Sequence, residues 1–424
     1  MSTFKSPTFS YRLQGPTTLE GQVSLSGSAN AGLAAMCAAL LTDQTVVLKN
    51  MPDVLDVKTL SELLSHFGAV VTKLEKNTLS ICCNKITKTS APAHLMSANR
   101  ASFQVTGPLL ARYQTVSTPP PGGDPIGGRP VDVHINSFAK LGAQIDQAGD
   151  VYTASAPAGL QGTRIFMDYP SVSGTQNVLM AATLAKGDTT IVNAATEPEV
   201  IFLGNLLTQM GAVISGTGTQ VIKIHGVEKL NGCEISLPSD RIEAGTFAIA
   251  AALTAGNVTI KNAPVEHLDS LFSKLIECGA NLKINENEIT VSRDKALLPV
   301  NFQSLPYPGM PTDLQAPMAT LLTQASGVSI VQERVFENRM LYVNELRKMG
   351  ADIVIAGTSA IISGPVTLSG AKVTALDVRA GAAVLLAALS ATGTSVITEI
   401  QHLDRKYDSL QSKFEILGAK MERS

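Results

Sequence analysis

Three arginines stand in settings where a charge is hard to keep: Arg100 in SANRASFQVTGPLL, Arg379 in LDVRAGAAVLLAAL, and Arg405 in HLDRKYDSL; a fourth, Arg129, stands with His134 at the exit of PPPGGDPIGGRPVDVH. A guanidinium placed among apolar or small residues needs an anion, because an unpaired buried charge is costly. For any one of them a structural ion pair is sufficient. Several together point to a pocket for a multiply charged anion, since the planar guanidinium fork matches phosphate and carboxylate. Two carboxylates could do acid or base work beside such an anion. Asp124 sits near the tip of Pro119 to His134, a stretch of sixteen residues with five Pro and four Gly. That stretch is neither helix nor strand interior, and long loops of this kind inside a compact domain are usually functional. A plain surface linker is the competing reading. Asp313, in PYPGMPTDLQAPM, stands between a Pro/Gly turn and a helix, where helix capping competes with a general-base role. Asp240 and Arg241, in LPSDRIEAGTF, read as a cap with a local salt bridge. The small polar run Ser26 to Asn30 precedes an apolar helix and offers backbone amides to an anion.

These side chains are carried by a repeating scaffold. A helical pattern, then Gly-Ala, then a short β-branched run recurs six times, with glycines at Gly68, Gly142, Gly211, Gly279, Gly350 and Gly418. The spacing is roughly 70 residues, longer than ordinary solenoid repeats. Phrases such as LLTDQTVVLKNMPD and LTAGNVTIKNAPVEHLD precede most copies, and the copy before Gly142 has the Pro/Gly loop instead. Each unit reads as β-α-β-α with additional strands. Val57 to Phe67 sets Leu60, Leu63 and Leu64 on one helical face, and Gly68 then ends that helix. LAAMCAALL and GTFAIAAALTAG are apolar nearly all round, which fits fully buried helices. The expected architecture is α/β: two inside-out, barrel-like domains of three pseudo-symmetric units each, helices inside and sheets outside. The first would span 29–238 with the Pro/Gly loop, the second 1–28 with 239–424, and the arginines would converge in a cleft between these halves.

Composition narrows the class. With 33 Lys and Arg against 35 Asp and Glu, the net charge of -2 argues against a nucleic-acid or membrane-surface binder. No apolar run reaches the roughly 20 residues that span a bilayer, and Met1 to Tyr11 has no secretory pattern. Five scattered Cys, with no CxxC pair, read as free thiols in a reducing, cytoplasmic compartment. No metal-ligand spacing, Walker A loop, GxGxxG in a strand-helix context or GxSxG elbow is present, so no cofactor is expected.

From LQGPTTLEGQVSLSG to HLDRKYDSLQSKFEILGA the chain resembles the UDP-N-acetylglucosamine enolpyruvyl transferases, which belong to the enolpyruvyl transferase superfamily. The most specific matches are PGGDPIGGRPVDVH, PSDRIEAGTFAIAAA, PTDLQAPM, VFENRMLYVNELRKMGA and HLDRKYDSL. The resemblance implies addition–elimination at C2 of phosphoenolpyruvate, with the sugar 3-hydroxyl as nucleophile and phosphate as leaving group. Its expected partners are therefore phosphoenolpyruvate and a uridine nucleotide or nucleotide sugar, with the protein a monomer or weak oligomer. By motif, Asp313 matches the residue that accepts the hydroxyl proton. Asp124 takes a loop position that is often Cys, so alkylation by the epoxide fosfomycin should fail. Arg100, Arg129, Arg379 and Arg405 match the arginines around the donor, and His134 and Asn30 match residues near it. Arg129, Pro130, Val131, Asp132 and Val133, with Ser171 and Val172, match the uridine side. Val335 and Arg339 fall near the sugar.

Three positions depart from the family pattern. Ala29 stands where Lys is usual, Tyr169 where a basic residue often meets the diphosphate, and Ser173 where Gly is common. They keep two other readings open: a transferase of this scaffold with another acceptor, such as uridine monophosphate, and a silent paralogue that only binds a nucleotide sugar.

Overall fold

The structure is a computed structural model and describes residues 9–424. Expectations that fall on residues 1–8 lie outside the described residues. The chain divides into two compact units. One comprises the N-terminal segment to Ser26, Pro125–Gly128 and Ser239–Ser424; the other comprises Gly27–Asp124 and Arg129–Pro238. The crossing falls at Ser26/Gly27 rather than at 28/29. Ser28 donates its amide to Pro238 O at 2.8 Å, within the second unit. Pro125–Gly128 groups with the first unit because the Asn338 side chain donates to Pro125 O at 2.9 Å and Gly128 N donates to Glu337 Oε1 at 2.6 Å.

Each unit contains three sheets around a core of buried helices. In the first unit, strand Glu20–Ser24 pairs parallel with Asn257–Lys261, which pairs antiparallel with Glu288–Ser292, and Asn281–Ile284 forms the edge. The same order joins Phe302–Ser304, Gly327–Glu333, Ser359–Gly364 and Asp352–Ala356. The third sheet runs Lys372–Thr374, Gly393–Thr398, Ser10–Gly15 and Lys420–Arg423, so the N-terminal strand completes the sheet of the last repeat. Helices Arg241–Leu253, Thr312–Leu322 and Val378–Ser390 fill the interior; from Ile242 to Leu253 every residue of the first is buried. A full repeat is thus β-α-β-α-β-β. In each, a parallel strand leads into a buried helix, and the amphipathic helix leads into a hairpin.

The second unit repeats this plan with helices Ala29–Ala38, Thr106–Tyr113 and Val172–Ala182 inside. Two of its sheets have four strands, and the third, Thr115–Thr118, Val151–Ser155 and Gln144–Ala148, has three. The short sheet belongs to the repeat that has the Pro/Gly loop in place of the usual preceding phrase. There a single parallel bridge, Ser90 to Ser117, stands where the other sheets have a fourth strand.

All six repeat glycines have positive φ, from 92° at Gly142 to 110° at Gly68. Gly68 ends helix Leu55–Phe67, whose Leu60, Leu63, Leu64 and Phe67 are buried. A Cβ there would lie 2.4 Å from Lys85 O, in a backbone conformation that L-residues avoid. Gly357 also has positive φ (61°), but a Cβ would meet nothing within 4 Å. Gly68→Ala is therefore expected to cost about 2–3 kcal/mol, roughly 1 more than Gly357→Ala, in equilibrium denaturation. Equal losses would show that the Lys85 contact yields freely.

Candidate active site

The backbone between strand Thr115–Thr118 and helix Asp132–Lys140 is irregular, as the proline and glycine content dictates. Arg129, on this stretch, lies within electrostatic reach of Arg100 on helix Arg100–Val105. The Cβ position of Gly123 lies 3.3 Å from Arg100 Cβ and 3.4 Å from Arg129 Nη1, so a side chain at 123 would crowd both. Arg100 opens the short helix Arg100–Val105, capped by Asn99, and its Nη2 donates to Pro130 O at 3.1 Å. Burial, then the like charge of Arg129, pulls the Arg100 guanidinium down to about 10. An anion set beside this pair would relieve that repulsion. Asp124 follows Gly123 directly and is half-buried.

His134 is brought near the arginines but is not a cation. It is 2% exposed, and burial, then Arg100, lowers its pKa to about 3. Gly107 N donates to Asn177 Oδ1 at 2.8 Å, which turns Asn177 Nδ2 toward His134 Nδ1 at 2.9 Å. Nδ1 must then accept, and the ring proton sits on Nε2, facing Ser173 Oγ at 3.4 Å. The Phe103 ring meets the imidazole edge-on at 5.2 Å. Asn177 was not singled out from sequence; only its place on an apolar helix, as a polar residue needing partners, signalled it.

Around these groups the expected binding residues take mostly capping and turn positions. Ser171 Oγ caps helix Val172–Ala182 by accepting from Gly174 N at 3.2 Å, and Val131 holds the cap position of helix Asp132–Lys140 without a side-chain bond. Asp132 Oδ1 accepts from Val133 N at 2.8 Å. Pro130 and Asp132 are exposed, Val133 and Val172 half-buried. Ser28 Oγ accepts from Ala31 N at 3.3 Å, so this Ala31 amide is not available to an anion. Asn30 is half-buried on the same turn, and Ala29 is fully buried. Tyr169 is exposed.

The first unit assembles a different set. Asp313 lies in the first turn of helix Thr312–Leu322, yet Pro311 holds the cap position and no side chain caps the helix. The capping reading of Asp313 is therefore overturned. Its carboxylate instead accepts from Arg339 Nη2 at 2.8 Å and Arg379 Nη2 at 2.7 Å. The two arginine side chains are 4% and 6% exposed, the carboxylate side chain 26%. Burial alone would raise the Asp313 carboxyl; Arg379 and Arg339 outweigh it and hold it well below the usual carboxylate range. Arg379 and Arg339, expected as substrate contacts, thus already have an anion of their own. Asp240, by contrast, does cap its helix, accepting from Ile242 N at 2.7 Å and Glu243 N at 3.1 Å.

Glu333 fixes the neighbourhood. Its Oε2 accepts from Thr312 Oγ1 at 2.8 Å, and its Oε1 from the amides of Val335 at 2.7 Å and Phe336 at 3.2 Å. Phe336 in turn lies under the Arg339 guanidinium, 5.5 Å from its carbon to the ring centre. Arg379 Nη1 donates to Tyr407 Oη at 3.2 Å, two residues beyond the half-buried Arg405. Neither Glu333 nor Tyr407 was identified from sequence; Tyr407 lies inside the matched HLDRKYDSL, and Glu333 stands two residues before the matched VFENRMLYVNELRKMGA.

Among the described residues no group of three or more His, Cys, Asp or Glu is placed to hold a metal, and no helix is long and apolar enough to cross a membrane. The family model for EPSP synthase (3-phosphoshikimate 1-carboxyvinyltransferase) matches residues 13–414. Curated relatives include the UDP-N-acetylglucosamine 1-carboxyvinyltransferase of Finegoldia magna, 44% identical over 407 residues, which cover 96% of each chain. UDP-N-acetylglucosamine 1-carboxyvinyltransferase 2 of Carboxydothermus hydrogenoformans is 46% identical over 413 residues, 97% of this chain and 98% of that one. In fold, the chain is similar to the enolpyruvyl transferase NikO from Streptomyces tendae, with a TM-score of 0.89 at 23% identity over 98% of this chain and 99% of that one. An EPSP synthase from Acinetobacter baumannii gives a TM-score of 0.76 at 17% identity, over 98% of this chain and all of the other. A pair of inside-out α/β units and near-full-length identity of this order place the chain in the enolpyruvyl (carboxyvinyl) transferase family, among the UDP-N-acetylglucosamine 1-carboxyvinyltransferases.

Proposed function

We propose that the chain transfers the enolpyruvyl group of phosphoenolpyruvate to the 3-hydroxyl of UDP-N-acetylglucosamine and releases phosphate, the committed step toward peptidoglycan in the cytoplasm. The observation that carries this is the near-full-length identity to relatives that bear that name, together with an Asp313 carboxylate set between two guanidinium groups.

The chemistry follows from the groups present. Asp313 takes the proton of the acceptor hydroxyl as its oxygen bonds to C2 of the donor. Asp124 delivers a proton to C3, which completes a tetrahedral ketal. C3 then returns a proton to Asp124, the C2–oxygen bond to phosphate breaks, the proton taken by Asp313 passes to the departing phosphate, and the enol ether and phosphate remain. Arg100, Arg129, Arg379 and Arg405 neutralise the donor's phosphate and carboxylate. Each Asp313 oxygen spends one lone pair on an arginine, so two sites remain to orient the hydroxyl. While both arginines hold it, the carboxylate is a poor base. An anionic donor that draws Arg379 to itself raises its basicity at the moment when a proton must be taken. The uridine side falls to Arg129–Val133, Ser171 and Val172, and the sugar to Val335 and Arg339. Asn30 and His134 support the donor, His134 as a neutral group.

The protein is incubated with phosphoenolpyruvate and either UDP-N-acetylglucosamine or uridine monophosphate, and phosphate is followed. Release with the nucleotide sugar alone is expected. Release with uridine monophosphate alone would assign the other acceptor, in line with Tyr169 and Ser173. Silence with both, alongside measurable binding, would make it a paralogue that binds only, in line with Ala29.

Asp124 supplies a second prediction. A carboxylate lacks the soft nucleophilicity of a thiolate, so fosfomycin should leave activity and mass unchanged. Asp124→Cys should be inactivated with a mass gain of one inhibitor per chain. Labelling of the unaltered protein at any of its five cysteines, with loss of activity, would contradict the role given to Asp124.

A further inference from the structure

We propose that Tyr407 is the positioning residue for Arg379: a hydrogen-bond chain with only one possible direction runs through its hydroxyl and fixes the guanidinium that an anionic substrate must meet. Thr246 Oγ1 has one hydrogen and gives it to Ile242 O at 2.8 Å, a carbonyl that can only accept. Thr246 must therefore accept from the Tyr407 hydroxyl, at 3.0 Å. With its hydrogen spent, the Tyr407 oxygen offers a lone pair to Arg379 Nη1 at 3.2 Å. Arg379 Nη2 then falls on Asp313 Oδ2 at 2.7 Å. The direction of every link is set by a backbone carbonyl of helix Arg241–Leu253.

The phenol cannot swing out of the chain. Tyr407 is 4% exposed, and its ring lies beneath the guanidinium, 5.6 Å from centre to carbon. Burial raises the phenol pKa, so it stays protonated and keeps its direction. Asp240, the cap of the same helix, adds a second negative charge that favours Arg379 in this place. Tyr407, itself held by Thr246, thus engages Nη1 and one face of the guanidinium, and Asp313 holds Nη2. A donor anion can compete for the Asp313 link while the Tyr407 link keeps the group aimed.

Tyr407→Phe keeps the ring and removes only the oxygen. The kinetic arm rests on the transfer reaction proposed above. Tyr407→Phe should raise the KM for phosphoenolpyruvate about tenfold, the scale of a hydrogen bond to a charged group, and move kcat and the acceptor KM less than about twofold. In an Arg379→Lys background it should add nothing, because its only route is through Arg379. Equal losses for both substrates, or full additivity with Arg379→Lys, would overturn the proposal. The second arm needs no turnover. In ¹⁵N-arginine-labelled protein, the Arg379 Nη signals, assigned by their loss in Arg379→Lys, should show slow rotation that becomes fast in Tyr407→Phe. Unchanged rotation in a folded Tyr407→Phe protein would overturn it even if the chain transfers nothing.

Discussion

Asp313→Asn is expected to lower kcat by about 10³-fold while acceptor affinity changes less than tenfold. Asparagine is nearly isosteric and keeps one oxygen, so one of the two arginines retains its acceptor. The amide cannot take a proton, and it presents N–H groups to the other guanidinium. The substitution also has a stability cost. Arg339 and Arg379 are 4% and 6% exposed, and breaking a buried pair from one side costs about 3–5 kcal/mol. The two effects separate by temperature. A loss of turnover from unfolding recovers on cooling below the melting transition, whereas the loss of a base does not. Asp313→Glu keeps the charge but moves it by one methylene, and should fall between the two proteins in both rate and stability. Retention of more than a tenth of the turnover in folded Asp313→Asn would leave Asp313 with a structural role only.

Glu243→Gln is the second large effect, and it acts on stability. Glu243 is 3% exposed at its side chain and pairs with the Lys413 ammonium, itself 13% exposed. Glu243 Oε2 accepts from Ser26 N at 2.8 Å, and Lys413 also donates to Ser26 Oγ at 2.7 Å. A glutamine has one oxygen for two donors, so either the Ser26 amide or the ammonium faces an N–H group. The expected loss is about 3 kcal/mol. At 2–4 °C per kcal/mol for a unit of this size, the melting temperature falls by roughly 6–12 °C. Replacing Lys413 by Met as well removes the stranded charge and should restore at least half of that loss. A double variant worse than Glu243→Gln alone would contradict this account.

Much of the fold was legible because glycine is hard to replace at a left-handed helix end. The six Gly-Ala phrases marked six amphipathic helices, and the all-apolar runs marked the buried ones. What escaped was long-range pairing. Nothing in SYRLQG says that it lies between Gly393–Thr398 and Lys420–Arg423, and GQVS gives no sign of its parallel partner Asn257–Lys261. At the site, the arginines and aspartates were visible as charges in apolar settings, but their partners were not. Asp313 looked like a cap because PTD opens a helix; its true partners stand 26 and 66 residues away. A tyrosine or glutamate in a polar stretch, as Tyr407 and Glu333 are, is unremarkable until its hydrogen bonds are seen.

The most direct test follows both products of one incubation with phosphoenolpyruvate and UDP-N-acetylglucosamine. Mass spectrometry should find the enolpyruvyl ether of the nucleotide sugar, in one-to-one proportion with free phosphate, and Asp313→Asn should make neither at a comparable rate. Phosphate without the ether, or an intact donor after many hours with folded protein, would contradict it.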